Sequence, residues 1–408
     1  MKAAALVLLC ACGRIGFDTG NGDGGPTLPC NLAGRVSDTF DDGVIDESVW
    51  GAHYADIGTS LVESNGRVTF TLASTAASTY AGLKSHRYYD LRGQRFVVEV
   101  ANVPATGSNA GIQIEYAGER YVVLALINGN LRAAYKYPTF TGVGTLPFVP
   151  AQHRFWAISE DAGTIHYETS VDGVSFTTFA TLAPPFDVSL VRLTAFAGTD
   201  TMVASPGTFV IDSIGPVTPV ASAACPASSL VDTFDDGVID HRWANTYSDP
   251  CCTLTETNGE VVVDYDGTQG TASLRSSAGL DVREDAVTIE ITQEPPLPST
   301  NLNLTVRQDN NNALELQIGP TVTIARVALD GVGDGMSEPR NPAEKYARIR
   351  ETGGVYLMEL STDRTTWRTL RTGPNPFPLD DALVTVRTGI TENGTAQQAT
   401  SFDNFNAP

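Results

Sequence analysis

Basic residues are scarce in this chain: 26 Lys and Arg stand against 47 Asp and Glu, a net charge of −21 over 408 residues. A nucleic-acid partner needs a basic footprint, and none is present. The same balance argues against electrostatic docking on anionic lipid. No run of 18 apolar residues occurs, so no segment reads as a membrane-crossing helix. Histidine is rarer still, five in all (His53, His86, His153, His166 and His241), and no two have metal-ligand spacing. A Gly-x-Ser-x-Gly elbow for Ser-His chemistry is missing. So is sustained helical periodicity with caps. Glycine and proline are plentiful, 38 and 23, which favours many turns and short strands. With 42% apolar residues the chain can build real cores, and its length suits two domains.

Met1 and Lys2 give a minimal positive start, and Ala3 to Leu9 a short apolar run. Leu9-Cys10-Ala11-Cys12 then resembles a bacterial lipoprotein box. The resemblance implies that residues 1–11 are a lipoprotein signal peptide and that Cys12 carries the lipid. An ordinary cleaved secretory signal is the alternative. The expected location is the bacterial cell envelope, as an outer-membrane lipoprotein or a secreted protein, with membrane contact only through the lipid anchor. Residues 12–30 are glycine-rich and read as a flexible tether.

Beyond the tether one unit is written twice. Asp38-Thr39-Phe40-Asp41-Asp42-Gly43-Val44-Ile45-Asp46 recurs unchanged as Asp232 to Asp240. Trp50 recurs as Trp243, and Glu63-Ser64-Asn65-Gly66 as Glu256-Thr257-Asn258-Gly259. Ile158 to Asp172 maps on Ile349 to Asp363, with Glu160/Glu351, Glu168/Glu359 and Ser170/Ser361 in register. Order and spacing of this kind mean tandem duplication. The expected domains are 31–216 and 227–408, joined by a Pro-rich linker at 217–226.

Both copies read as strand, turn, strand. Phe96 to Val100 and Val287 to Ile291 are β-branched and alternating. Asn65-Gly66 and Asn258-Gly259 sit between strand-like runs and predict tight primed hairpins, because both residues tolerate positive φ. Ser170 to Phe176 and Ser361 to Trp367 predict further hairpins closed by Asp172 and Asp363. Short strands over about 190 residues predict an all-β, two-sheet sandwich per copy. Trp50 and Trp243 are expected to plug the two cores.

The opening Asp-Thr-Phe-Asp-Asp-Gly, the following Trp, the Asn-Gly hairpin, Tyr-Glu-Thr-Ser-Val-Asp-Gly and the closing Phe-Val-Ile-Asp-Ser-Ile or Ser-Phe-Asp-Asn-Phe resemble the concanavalin-A-like lectin and glucanase superfamily. The fold this implies is two tandem concanavalin-A-like jelly-roll β-sandwiches. That fold hosts lectins, hydrolases and plain adhesive spacers. Laminarinase-type members carry Glu-x-Asp-x-x-Glu on one strand, where alternation pairs two carboxylates. Neither copy has it; the nearest string is Glu290-Ile291-Thr292-Gln293-Glu294. Glu168 and Glu359, single outward acids on strands, are expected on solvated faces. The expectation is therefore a chain that is not an enzyme: a non-catalytic surface lipoprotein that binds carbohydrate. A protein-binding or structural adhesin module is the alternative, and a glycoside hydrolase-like protein a weaker one.

Sugar rings stack on aromatics whose polar edges stay wet. Tyr116, Tyr121, Tyr135, Tyr137 and Trp156 are the candidate ligand-binding residues, and a polysaccharide or glycoprotein the candidate partner. Ala347 stands where the second copy would have Trp156, which suggests that this Trp serves a surface rather than the shared core. Superfamily members often hold a structural ion between first and last strands. That resemblance implies a Ca²⁺ site from Asp38 or Asp41 with Asp212, and from Asp232 or Asp235 with Asp403. Turn residues bonding their own backbone are the alternative. Cys30, Cys225, Cys251 and Cys252 allow three disulfide pairings. Cys225 with Cys252 or Cys251 is favoured, leaving Cys30 for the remaining cysteine.

Overall fold

Apolar residues on alternate positions make strands with one buried face, and such strands must pair face to face to hide it. The computed structural model describes residues 30–74, 78–116, 120–217, 223–243, 247–295, 300–390 and 398–407. The expected leader, Cys12 and the expected tether up to residue 29 lie outside the described residues, as do 218–222 of the expected linker. Strand dominates: among the described residues helix is confined to the turn Glu47–Trp50 and three short 3-10 turns. The all-β expectation is met.

In the first half one seven-stranded antiparallel sheet runs Tyr54–Ala55, Thr79–Lys84, Arg192–Thr199, Asn109–Tyr116, Arg120–Ile127, Asn130–Lys136, Phe140–Pro147. The second runs Thr177–Leu182, Thr164–Ser170, Phe155–Asp161, Arg95–Asn102, Thr208–Ile214, Val68–Thr71, Ser60–Glu63. The same strand order recurs in the second half. There the first sheet contains Gly270–Arg275, Leu383–Ile390, Thr300–Arg307, Ala313–Ile318, Val322–Leu329 and Val332–Pro339 in that sequence. Ile112, Ile114, Leu124 and Leu193 of one first-half sheet meet Phe96, Val98, Ile158 and Phe209 of the other in one fully buried cluster. Each such side chain contributes about 1.5–3 kcal/mol by leaving water.

The hairpin turns form as the sequence predicts. Asn65 and Gly66 have φ of 54° and 69°, and Asn258 and Gly259 of 55° and 78°. Asp172 Oδ1 accepts from the backbone N–H of Val174 (2.9 Å) and Ser175 (2.8 Å). Asp363 does the same for Thr365 and Thr366. Trp50 and Trp243 are fully buried, and each indole N–H donates to an aspartate Oδ2 at 2.8 Å, Asp38 and Asp232 respectively.

Two expectations are corrected. The disulfides are Cys30–Cys225, which crosses between the halves, and the adjacent pair Cys251–Cys252. Neighbouring residues satisfy each other, so no bond within the second half ties Cys225. Glu168 and Glu359 are buried rather than solvated. Arg95 Nε donates to Glu168 at 2.8 Å, and Arg348 and Arg350 both converge on Glu359. Guanidinium partners make these strand carboxylates acceptable inside.

Candidate functional site

Strand parity decides which faces remain free for function. On the first-half sheet Leu83, Ile112, Ile114, Leu193 and Ala195 point inward. Gly82, Lys84, Gln113, Glu115, Arg192, Thr194, Phe196 and Gly198 therefore share the outward face, in register across three strands. A glycine inside a strand often marks a close approach. Here a Cβ at Gly82 would lie 2.3 Å from Tyr54 Cε1, and one at Gly198 would lie 2.2 Å from Tyr80 Cδ1. Each ring thus covers a glycine of a neighbouring strand. Phe196 packs beside Tyr80, centroids 6.2 Å apart.

Polar groups ring this platform. The Tyr80 hydroxyl donates to Asp200 Oδ1 (2.5 Å), and Asn109 Nδ2 donates to Asp200 Oδ2 (2.8 Å). Lys84 Nζ donates to Glu115 Oε1 (2.7 Å) and Gln113 Nε2 to Glu115 Oε2 (3.3 Å). Tyr54 keeps 40% of its surface exposed. Burial, then the charges of Glu115 and Asp56, push its hydroxyl up to about 12, so it stays a neutral donor near pH 7. The face therefore offers apolar ring surface edged by donors and acceptors, the combination that holds a sugar ring.

The five aromatic residues singled out from sequence scatter. Tyr121 lies on the outward face, opposite Glu115 and Lys136. Tyr137 is exposed, with the Arg120 guanidinium 4.7 Å from its ring. Tyr135 packs against the core. Tyr116 stacks on Phe186 and meets His241 of the second half, so it belongs to the junction of the halves. Trp156 is 0% exposed, stacked on Phe209 with Phe148 at its edge, and its indole donates to His153 O. The surface role expected for Trp156 is corrected: it is core. Tyr54 and Tyr80 were missed. The signal for them was a glycine within each adjoining strand.

The candidate calcium ligands are not gathered into a cage. Asp38 and Asp232 each accept from a tryptophan indole and a backbone N–H, that of Phe40 and Phe234. Asp212 pairs with Arg67 (2.7 Å). Asp403 accepts from the backbone and side chain of Asn404. Asp41 and Asp235 flank the hairpin glycines Gly66 and Gly259. Among the described residues no three His, Cys, Asp or Glu side chains come together as a metal group.

A repeated acid pair stands beside these turns. Burial, and then the neighbouring Asp42, push Glu63 up to about 7. Burial also pushes Glu256 up to about 7, with Asp236 as its neighbour. A carboxyl raised in the folded state stabilises it while protonated, fully so below about pH 4.3, its ordinary value. That contribution fades as pH rises through 7. The double substitution Glu63→Gln and Glu256→Gln should therefore flatten the fall in Tm between pH 5 and pH 8. An unchanged slope in thermal melts across that range would refute the assignment.

No family model matches the chain, and neither does any curated protein. Solved structures do. One is a xylan beta-1,4-xylosidase from Bacillus halodurans C-125, 12% identical, TM-score 0.36, covering 91% of this chain and 89% of that one. A second is a Bacteroides ovatus protein titled xyloglucan PUL GH43B, 14% identical, TM-score 0.34, covering 87% and 77%. A third is the Crh5 transglycosylase in complex with NAG, 15% identical, TM-score 0.33, covering 48% and 89%. Two of the three are named as enzymes, a xylosidase and a transglycosylase. The expectations of a non-catalytic carbohydrate binder and of no enzymatic activity are withdrawn on that finding.

Proposed function

We propose that the chain is a glycan-active protein whose saccharide lies over Tyr54 and Tyr80. The observation that carries this is the pair of tyrosine rings covering Gly82 and Gly198 on an outward sheet face. Glu115 is the carboxylate offered to the sugar, held in place by Lys84 and Gln113. A positioned acid or base of this kind is worth roughly 10²–10⁴ in rate.

The test is reducing-end release by the full chain from xylan, xyloglucan and laminarin. Turnover should fall at least a hundredfold in Glu115→Gln, with binding kept. In Tyr54→Ala retention on the same polymer should drop several-fold, as loss of a stacking ring requires. Turnover indifferent to both substitutions would place the site elsewhere, and no turnover on any of the polymers would defeat the reading of activity.

A further inference from the structure

The outward face just described runs into the junction of the halves. Arg192 stands directly across from Glu115 in register, and its guanidinium lies 4.7 Å from the Tyr88 ring. The Tyr88 backbone N–H donates to Ser277 O of the second half at 3.0 Å. Two residues before Ser277, at the end of Gly270–Arg275, stands Arg275. It faces outward beside Thr385, which is in turn opposite Thr305 on the next strand. Arg307 follows two residues further along that strand on the same face.

These arginines are unusual for a chain of net charge −21. The Nε of Arg275 and of Arg307 are buried with no hydrogen-bond partner, and neither side chain joins an ion pair among the described residues. Nearby acids are already engaged. Glu315 accepts from Arg387 (3.3 Å) and pairs with Arg326 (3.7 Å). Asp309 Oδ1 accepts from the backbone of Asn311 (2.6 Å) and Asn312 (2.8 Å). Asp381 is held by Arg35 and Arg87. Thr385 adds a buried hydroxyl without a partner at the base of the cluster.

The surplus charge is felt locally. Burial, then Arg275 and Arg387, push Arg307 down to about 10. Burial, then Arg275, Arg87, Arg192 and Arg307, push His86 down to about 4. Half-buried guanidiniums without an anion are costly, and a planar carboxylate matches their fork of donors.

We propose that Arg275 and Arg307, with Arg192 beside them, bind the carboxylate of an acidic saccharide, a uronate, at the junction of the two halves. This deepens the saccharide reading above and rests on it. A strand rises about 3.3 Å per residue. The row of Phe196 is four residues from the row of Arg192, so a chain lying over the tyrosines reaches Arg192, the near edge of the cluster, within about 13 Å, a few sugar units.

The test is calorimetric titration of the full chain with trigalacturonate and with neutral xylotriose, together with thermal melts in sulfate against chloride at matched ionic strength. Trigalacturonate should bind, and Arg275→Gln and Arg307→Gln should each weaken it at least tenfold while xylotriose binding stays unchanged. Sulfate should raise the Tm of the wild type by more than that of the double variant, the rise common to both being its general salting-out effect. Arg307→Lys keeps the charge but loses the fork, and should retain the sulfate effect while weakening trigalacturonate; it guards against a folding defect in the Gln variants. If xylotriose binds and trigalacturonate gains nothing from the arginines, the uronate inference falls and the saccharide reading stands. If neither sugar binds but sulfate still separates wild type from the double variant, the anion site stands and the saccharide reading falls.

Discussion

Replacing Trp243 by Ala should cost the protein about 3–5 kcal/mol, the range for emptying a fully buried tryptophan site. Trp243 is 0% exposed and meets Phe405 edge-on at 4.9 Å and Phe234 at 6.3 Å. Its indole N–H donates to Asp232 Oδ2, and Asp232 is itself buried. The substitution thus opens a cavity and also strips a donor from a buried carboxyl whose pKa burial already raises. Trp243→Phe should keep most of the packing and lose about 1–3 kcal/mol for the unmade bond. Trp50→Ala should behave like Trp243→Ala, since Trp50 meets Asp38 in the same way. Trp367, half-buried under Arg348 with 3.8 Å from guanidinium to ring, should tolerate Ala far better. Urea unfolding followed by circular dichroism reads all four. A loss below about 1 kcal/mol for Trp243→Ala would contradict its place in the core.

Glu359→Ala should be comparably damaging, about 3–5 kcal/mol, because it removes one partner of a buried charge network. Arg348 donates to Glu359 Oε2 through Nε (2.9 Å) and Nη2 (2.6 Å), and Arg350 Nε donates to the same oxygen at 2.9 Å. Thr369 Oγ1 donates to the other oxygen at 3.3 Å. Burial alone would push this carboxyl up. The bonds from Arg350 and Arg348 outweigh it and hold the group below its ordinary value. The sign follows: a depressed carboxyl stabilises the fold above about pH 4.3 and loses that contribution as pH falls through its folded value. Wild type should therefore lose stability below pH 4 more steeply than Glu359→Gln. Equal acid slopes in the two proteins would show that the network contributes nothing.

Much of this architecture was legible before any coordinates. Alternation in Phe96 to Val100 and Val287 to Ile291 announced strands because period-two burial leaves that trace and no other. Asn65-Gly66 announced a hairpin because few residue pairs accept two positive φ values in a row. The buried Trp50 and Trp243 followed from their recurrence.

What escaped depended on distant partners. Trp156 is core because Phe209 lies beneath it, and the counterpart of Phe209 in the second half is Thr400. A Trp and a Phe in one half answer an Ala and a Thr in the other, a compensation invisible until the contact is known. The disulfides escaped because three pairings satisfy the same four cysteines. The Tyr54 platform escaped because a two-residue strand has too little length to declare its parity. Glu168 and Glu359 looked solvated because their arginines come from other strands.

Each outward-facing sheet ends on a strand with little to offer another chain. Phe140–Pro147 carries Gly142, Gly144 and Pro147, and Val332–Pro339 carries Gly333, Asp334, Gly335 and Pro339. A proline has no N–H to give, and glycine brings no side chain to zip against. These borders should resist cross-β stacking, so the protein can be concentrated without seeding fibres through its open margins.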